Sequence, residues 1–186
     1  MHLVPNRYHL FARVQHALLA FALVGMFALG LYMVDLPFSP ERLKLYNWHK
    51  WAGAVVLTLS LVRLLWRLAN RPPELPPTVR EAMPLWQQRV HAATHLGLYG
   101  LFFAVPLLGW AYSSASGFPL VVFGLLPLPD WVPVNESLAD ALKPAHRYAA
   151  YALAALVLLH VGAALKHHVV DRDGLLGRMG FGRVRP

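Results

Sequence analysis

The chain contains no cysteine. That excludes disulfides, thiolate-held iron–sulfur clusters, cysteine-rich zinc sites and covalently attached haem, so any metal centre must rely on histidine, carboxylate or methionine. Charge is scarce too: Asp, Glu, Lys and Arg make up 14% of the 186 residues, against roughly 25% in an average soluble domain. Acidic residues are the scarcer sign, 9 against 17 basic ones, for a net charge of +8. Such an excess can mark nucleic-acid binding, but the basic residues form no continuous soluble patch. They flank apolar runs, where the orientation rule for membrane helices accounts for them, and no nucleic-acid partner is expected.

What the chain does have is long uncharged sequence. No charged residue occurs from Ala17 to Val34, from Val90 to Pro129, or from Tyr148 to Leu165. Each stretch reaches the roughly 18 apolar residues of a membrane-helix candidate. A fourth candidate, about 48–68, is interrupted by Arg63, which must snorkel or find an anionic partner. The first run is too long for a signal-peptide core and lacks a small-residue cleavage site after Tyr32, so it reads as a retained helix. The expected fold is all-α: an integral membrane four-helix bundle with helices at about 9–34, 47–69, 88–113 and 144–169, in a single domain over 1–186.

Proline punctuates the connections. Pro37 and Pro40 break the first, and Pro72, Pro73, Pro76 and Pro77 make the second an extended linker. The third, about 114–143, holds Gly117, Pro119, Pro127, Pro129 and Pro133, then a short interfacial helix at 135–142. Twelve basic residues (Arg7, Arg13, Arg63, Arg67, Arg71, Arg80, Arg89, Lys166, Arg172, Arg178, Arg183, Arg185) fall at one end of the bundle and five (Arg42, Lys44, Lys50, Lys143, Arg147) at the other. By the positive-inside rule both termini are cytoplasmic.

Ten histidines are many for this length, and several lie inside the expected spans, where an ionisable residue is a functional candidate. The first helix runs outward, so His16, about two turns in, lies toward the cytoplasm. His49 and His146 fall in the first turns of the second and fourth helices, at the outer side. His160 follows His146 by 14 residues, about 21 Å deeper at 1.5 Å per residue and close to four full turns, hence on the same face and level with His16. The four sort into an outer pair, His49 with His146, and an inner pair, His16 with His160. Two imidazoles facing one iron hold a low-spin electron-transfer haem, and a bundle interior is a usual cofactor site. Zinc would want three or four close ligands. A histidine proton relay, or structural histidines each bonded to a neighbouring helix, remain open on spacing alone.

Arg63 lies 14 residues after His49, near the inner pair, and Arg13 one turn before His16. Each can neutralise a haem propionate or act as a positive-inside anchor. His91, His95, His167 and His168, with His9 and Trp86, gather at the cytoplasmic end, where they can bind a quinone head group or simply solvate helix ends. At the outer end Tyr46, Trp48 and Trp51 read as belt anchors, while Lys50, Lys143 and Arg147 suit an anion or an acidic partner.

The pattern resembles the bacterial cytochrome b561 family, di-haem cytochromes b of the inner membrane, and within it the superoxide oxidase type. The resemblance rests on His16, on Asn47-Trp48-His49 followed by Val62-Arg63-Leu64-Leu65-Trp66-Arg67, on His95 before Tyr99 and Pro106, and on His146, His160 and Ala164-Leu165-Lys166-His167-His168. It implies two haems b, ligated by His16 with His160 and by His49 with His146. It further implies ubiquinone near a haem, with His167 as the matching residue, and superoxide oxidised at the periplasmic face. The competing expectation is an electron conduit between quinone and a partner redox protein, and a third is a cofactor-free transporter or proton channel.

Overall fold

The computed structural model describes residues 7–181; Arg183 and Arg185, counted above at the cytoplasmic end, lie outside the described residues. In chain order they form α1 (Leu10–Val34), α2 (Pro40–Ala69), a short α3 (Pro77–Ala82), α4 (Leu85–Ala115), a hairpin of β1 (Val121–Val122) and β2 (Leu126–Pro127), α5 (Glu136–Lys166), a π-helical turn (His167–Asp171) and a short α6 (Leu175–Arg178). Among the described residues, four helices are long and apolar enough to cross a membrane: α1, α2, α4, and α5 with its π-helical turn. The chain is an all-α membrane bundle.

Neighbouring helices pack in the order α1, α2, α4, α5, with α4 against α5 the most extensive contact. Large apolar side chains such as Phe21, Val24, Leu68, Leu96 and Leu158 cover the outside, where lipid is their solvent. The buried contacts are made largely by small residues, Ser60, Ala111, Ser114, Ala115 and Ala139, beside Leu19, Val56, Leu98 and Leu153. Two buried polar groups bond to backbone: Gln15 Nε2 donates to the Leu59 carbonyl at 3.1 Å and Ser60 Oγ to the Val56 carbonyl at 2.8 Å.

Several prolines act differently from the sequence expectation. Pro40 opens α2 instead of breaking the chain, because Ser39 Oγ caps the Arg42 amide at 3.2 Å and a first-turn residue needs no N–H. Pro77 likewise starts α3 within a connection expected to be wholly extended. Pro144 lies inside α5, so the expected separate helix at 135–142 is the first part of one continuous helix capped by Asn135. His49 and His146 therefore stand more than two turns into their helices, not in the first turn. At 30 and 31 residues α2 and α5 each reach about 45 Å, well over a hydrocarbon core of about 30 Å. Their charged first turns, with Glu41, Arg42, Glu136 and Asp140, project beyond it.

The third connection folds into the β1–β2 hairpin, tied to α2 by Lys50 Nζ donating to the Pro119 carbonyl at 3.2 Å and by Phe123 against Trp51. At the opposite end the two described ends of the chain meet. The Tyr8 amide donates to the Arg178 carbonyl at 3.1 Å, Arg13 Nε to the Met179 carbonyl at 3.0 Å, and Arg178 Nη2 to the Glu74 carbonyl at 2.7 Å.

Candidate functional site

Two pairs of imidazoles face each other inside the bundle. His49 on α2 and His146 on α5 have ring centres 6.2 Å apart; His16 on α1 and His160 on α5 have theirs 6.1 Å apart. Two metal–imidazole bonds of about 2 Å, plus about 1.1 Å from each ligating nitrogen to its ring centre, give a centre-to-centre span of about 6.2 Å. Both pairs are at that spacing.

The outer pair is fitted closely. His146 Nδ1 donates to the Val105 carbonyl at 2.9 Å, since a carbonyl only accepts, and this leaves Nε2 with its lone pair free for a metal. Val105 stands beside Pro106, where the missing N–H interrupts the α4 ladder. A Cβ on Gly109 would lie 3.0 Å from His146 Cε1, and one on Gly30 would lie 3.4 Å from His49 Cε1. These glycines on α4 and α1 clear room beside both rings. His49 Nδ1 is buried without a hydrogen-bond partner among the described residues. Its orphaned state, the fixed His146 tautomer and the glycine clearance all suit a flat, iron-bearing macrocycle between the rings.

The inner pair sits among cations and further histidines. Arg63 Nη1 donates to the Ala12 carbonyl at 3.4 Å, and its charge reaches both His16 and His160. Arg13 is turned to the Met179 carbonyl, beside the α6 segment. His95 donates Nδ1–H to the His91 carbonyl at 2.8 Å, and its ring centre lies 5.2 Å from that of His160. The His91 ring is 4.3 Å from that of His95. His9 caps α1 by accepting the Phe11 amide at 3.2 Å and packs on Trp66, a structural role. His168 and Trp86 are exposed.

His167 is joined to residues that the sequence reading missed. Its Nδ1 lies 2.6 Å from Asp173 Oδ2 and 3.1 Å from Asp171 Oδ2. Asp171 stands four residues after His167, at ordinary helix spacing, whereas Asp173, six residues on, is a contact that helix spacing does not bring together.

The family model described as prokaryotic cytochrome b561 matches residues 7–182. The chain belongs to the prokaryotic cytochrome b561 family. It is 35% identical over 182 residues to cytochrome b561 homolog 2 of Escherichia coli (strain K12), covering 94% of this chain and 92% of that relative. It is 36% identical over 131 residues to the probable superoxide oxidase CybB of Yersinia pestis, covering 70% and 72%. With cytochrome b561 homolog 1 of Escherichia coli it shares 32% over 141 residues, covering 76% and 77%. As a cytochrome b561 with four apolar spanning helices, the chain is a multi-pass protein of the bacterial inner membrane, and its family implies b-type haem and transmembrane electron transfer.

Proposed function

We propose that this cytochrome b561 holds two haems b, ligated by His49 with His146 and by His16 with His160, and passes electrons from superoxide at the periplasmic face to ubiquinone at the cytoplasmic end. The observation that carries the reading is the spacing of the two ring pairs, 6.2 Å and 6.1 Å, each spanning two helices. When bound, haem supplies reversible one-electron chemistry; the chain holds the irons and tunes them through ligands and burial. Arg63 would neutralise a propionate of the inner haem, and Arg13, whose Nε is engaged by the Met179 carbonyl, would assist only through its remaining guanidinium nitrogens.

The donor is inferred from charge and from likeness. Lys50, Lys143 and Arg147 line the outer end against the positive-inside trend, which favours a small anion. A relative is named a probable superoxide oxidase. The acceptor is inferred from His91, His95 and His167 at the cytoplasmic end, with the His95 ring centre 5.2 Å from that of His160 and His91 within electrostatic range of His167.

A reduced-minus-oxidised spectrum with haem quantitation tests the first part. Two haems per chain are expected, and His49→Ala or His146→Ala should leave one. Fewer than one haem in the unmodified chain would sink the reading. Superoxide-driven ubiquinone reduction by the purified chain alone tests the second part. Full haem content without that activity would turn the assignment to an electron conduit serving a partner redox protein.

A further inference from the structure

The π-helical turn after α5 brings His167, Asp171 and Asp173 together, with a nitrogen or oxygen of each within 4.8 Å of the others. The His167 and Asp173 side chains are 14% and 12% exposed, and their contact at 2.6 Å is the short, charge-assisted kind. A carboxylate opposite Nδ1 holds the ring with its proton on that nitrogen. On the far edge, Nε2 has no hydrogen-bond partner among the described residues.

The backbone is built to bring Asp173 there. Arg172 adopts a left-handed conformation (φ 51°), unfavourable for a residue with a Cβ, and so folds the chain back after the π-helical turn. Asp173 is then fixed from both sides, its amide directed at the His167 carbonyl and its Oδ1 accepting the Leu175 amide at 3.0 Å. Asp171 differs. Lys166 Nζ holds its two oxygens at 2.9 Å and 2.7 Å, so its charge is already balanced. π-helical turns and strained residues recur at functional sites. His167 lies seven residues beyond His160, two turns and about 10 Å further along the same helix face. His91 of α4 is within electrostatic range of both His167 and Arg67.

We propose that Asp173 is the positioning residue for His167, fixing the ring so that Nε2 passes protons to a carbonyl oxygen of the quinone. This rests on the quinone reading above. Reducing a quinone to a quinol takes two electrons and two protons. The electrons come from the donor by way of the haem groups, two superoxide anions each giving one and leaving as dioxygen. For each proton, the Nε2–H bond breaks and an O–H bond forms on the quinone. The ring stays neutral with Nδ1–H on Asp173 until Nε2 takes a new proton from cytoplasmic water. While both nitrogens carry protons the ring is cationic, and Asp173 supplies the balancing charge.

Asp173→Asn removes the charge and leaves one oxygen, enough for either the Leu175 amide or His167 Nδ1–H but not for both, whereas Asp173→Ala removes both acceptors. In the purified haem-loaded protein with a short-chain ubiquinone, Asp173→Asn should hold KM within about twofold and lower kcat about tenfold; Asp173→Ala should also raise KM about tenfold. Haem content and spectra should not change in either, and Asp171→Asn, whose carboxylate lies 3.1 Å from the same Nδ1 but is balanced by Lys166, should lower kcat less than Asp173→Asn does. A second readout is the ¹⁵N spectrum of histidine-labelled, reduced protein, in which the Nδ1-protonated signal of His167 should weaken in both Asp173 variants, more in Asp173→Ala, and hold in Asp171→Asn. Unchanged kcat and KM in both Asp173 variants, or an equal loss in Asp171→Asn, would overturn the assignment while leaving the quinone site standing. An unmodified protein that takes up two haems yet reduces no ubiquinone would remove the quinone reading itself, and this proposal with it.

Discussion

Gly109 is the residue whose missing side chain matters most to the outer pair. An added Cβ would come 3.0 Å from His146 Cε1 and 3.1 Å from Nδ1, tighter than ordinary contact, while Gly30 leaves 3.4 Å to His49. Gly109→Ala is therefore expected to push the His146 ring off the Val105 carbonyl, at an overpacking cost of about 1–3 kcal/mol. Haem content should fall toward one per chain, with Gly30→Ala milder; full haem content and an unaltered spectrum in Gly109→Ala would refute the steric argument. The pairing of four histidines was legible in the sequence, because helical rise and pitch convert residue spacing into depth and face. Asp173 was not, because its contact with His167 depends on a π-helical turn and a left-handed Arg172 that no periodicity announces. Arg13 was legible as a cation near His16, but not its bond to the Met179 carbonyl, which needs the far end of the chain.

Proline shows where reading elements from sequence alone falls short. Pro40 and Pro77 look like breaks and residue 144 like a helix start, yet Pro40 and Pro77 open helices and Pro144 lies inside α5. The residue is compatible with a first turn, and long packed membrane helices tolerate it within, so its identity alone does not settle its place. The caps decide instead. Asn135 Oδ1 accepts the Leu138 amide at 2.9 Å and starts α5 well outside the apolar core. Asn135→Ala should cost about 1 kcal/mol and lower the thermal midpoint in detergent by a few degrees, with haem content unchanged. An unaltered midpoint would mean the projecting turns of α5 add nothing to stability.

At the scale of the whole molecule, four spans and the contact of Tyr8 with Arg178 put both described ends on one side of the membrane. The absence of native cysteine makes the sidedness easy to measure, since any introduced thiol is unique. A cysteine at Glu74 should react with an impermeant maleimide only from the cytoplasmic side, and one at Asp130 only from the periplasmic side. The reverse pattern would invert the electron path proposed above.

Both ring pairs take one member from α5, the last of the four spans in chain order. A nascent chain that has inserted α1, α2 and α4 holds His16 and His49 without partners on a second helix. Neither pair is complete until the final span enters the bilayer, so a haem held by either pair would be captured only at the close of biogenesis. The Arg13 contact with Met179 forms later still, sealing the first helix to residues made after the last span.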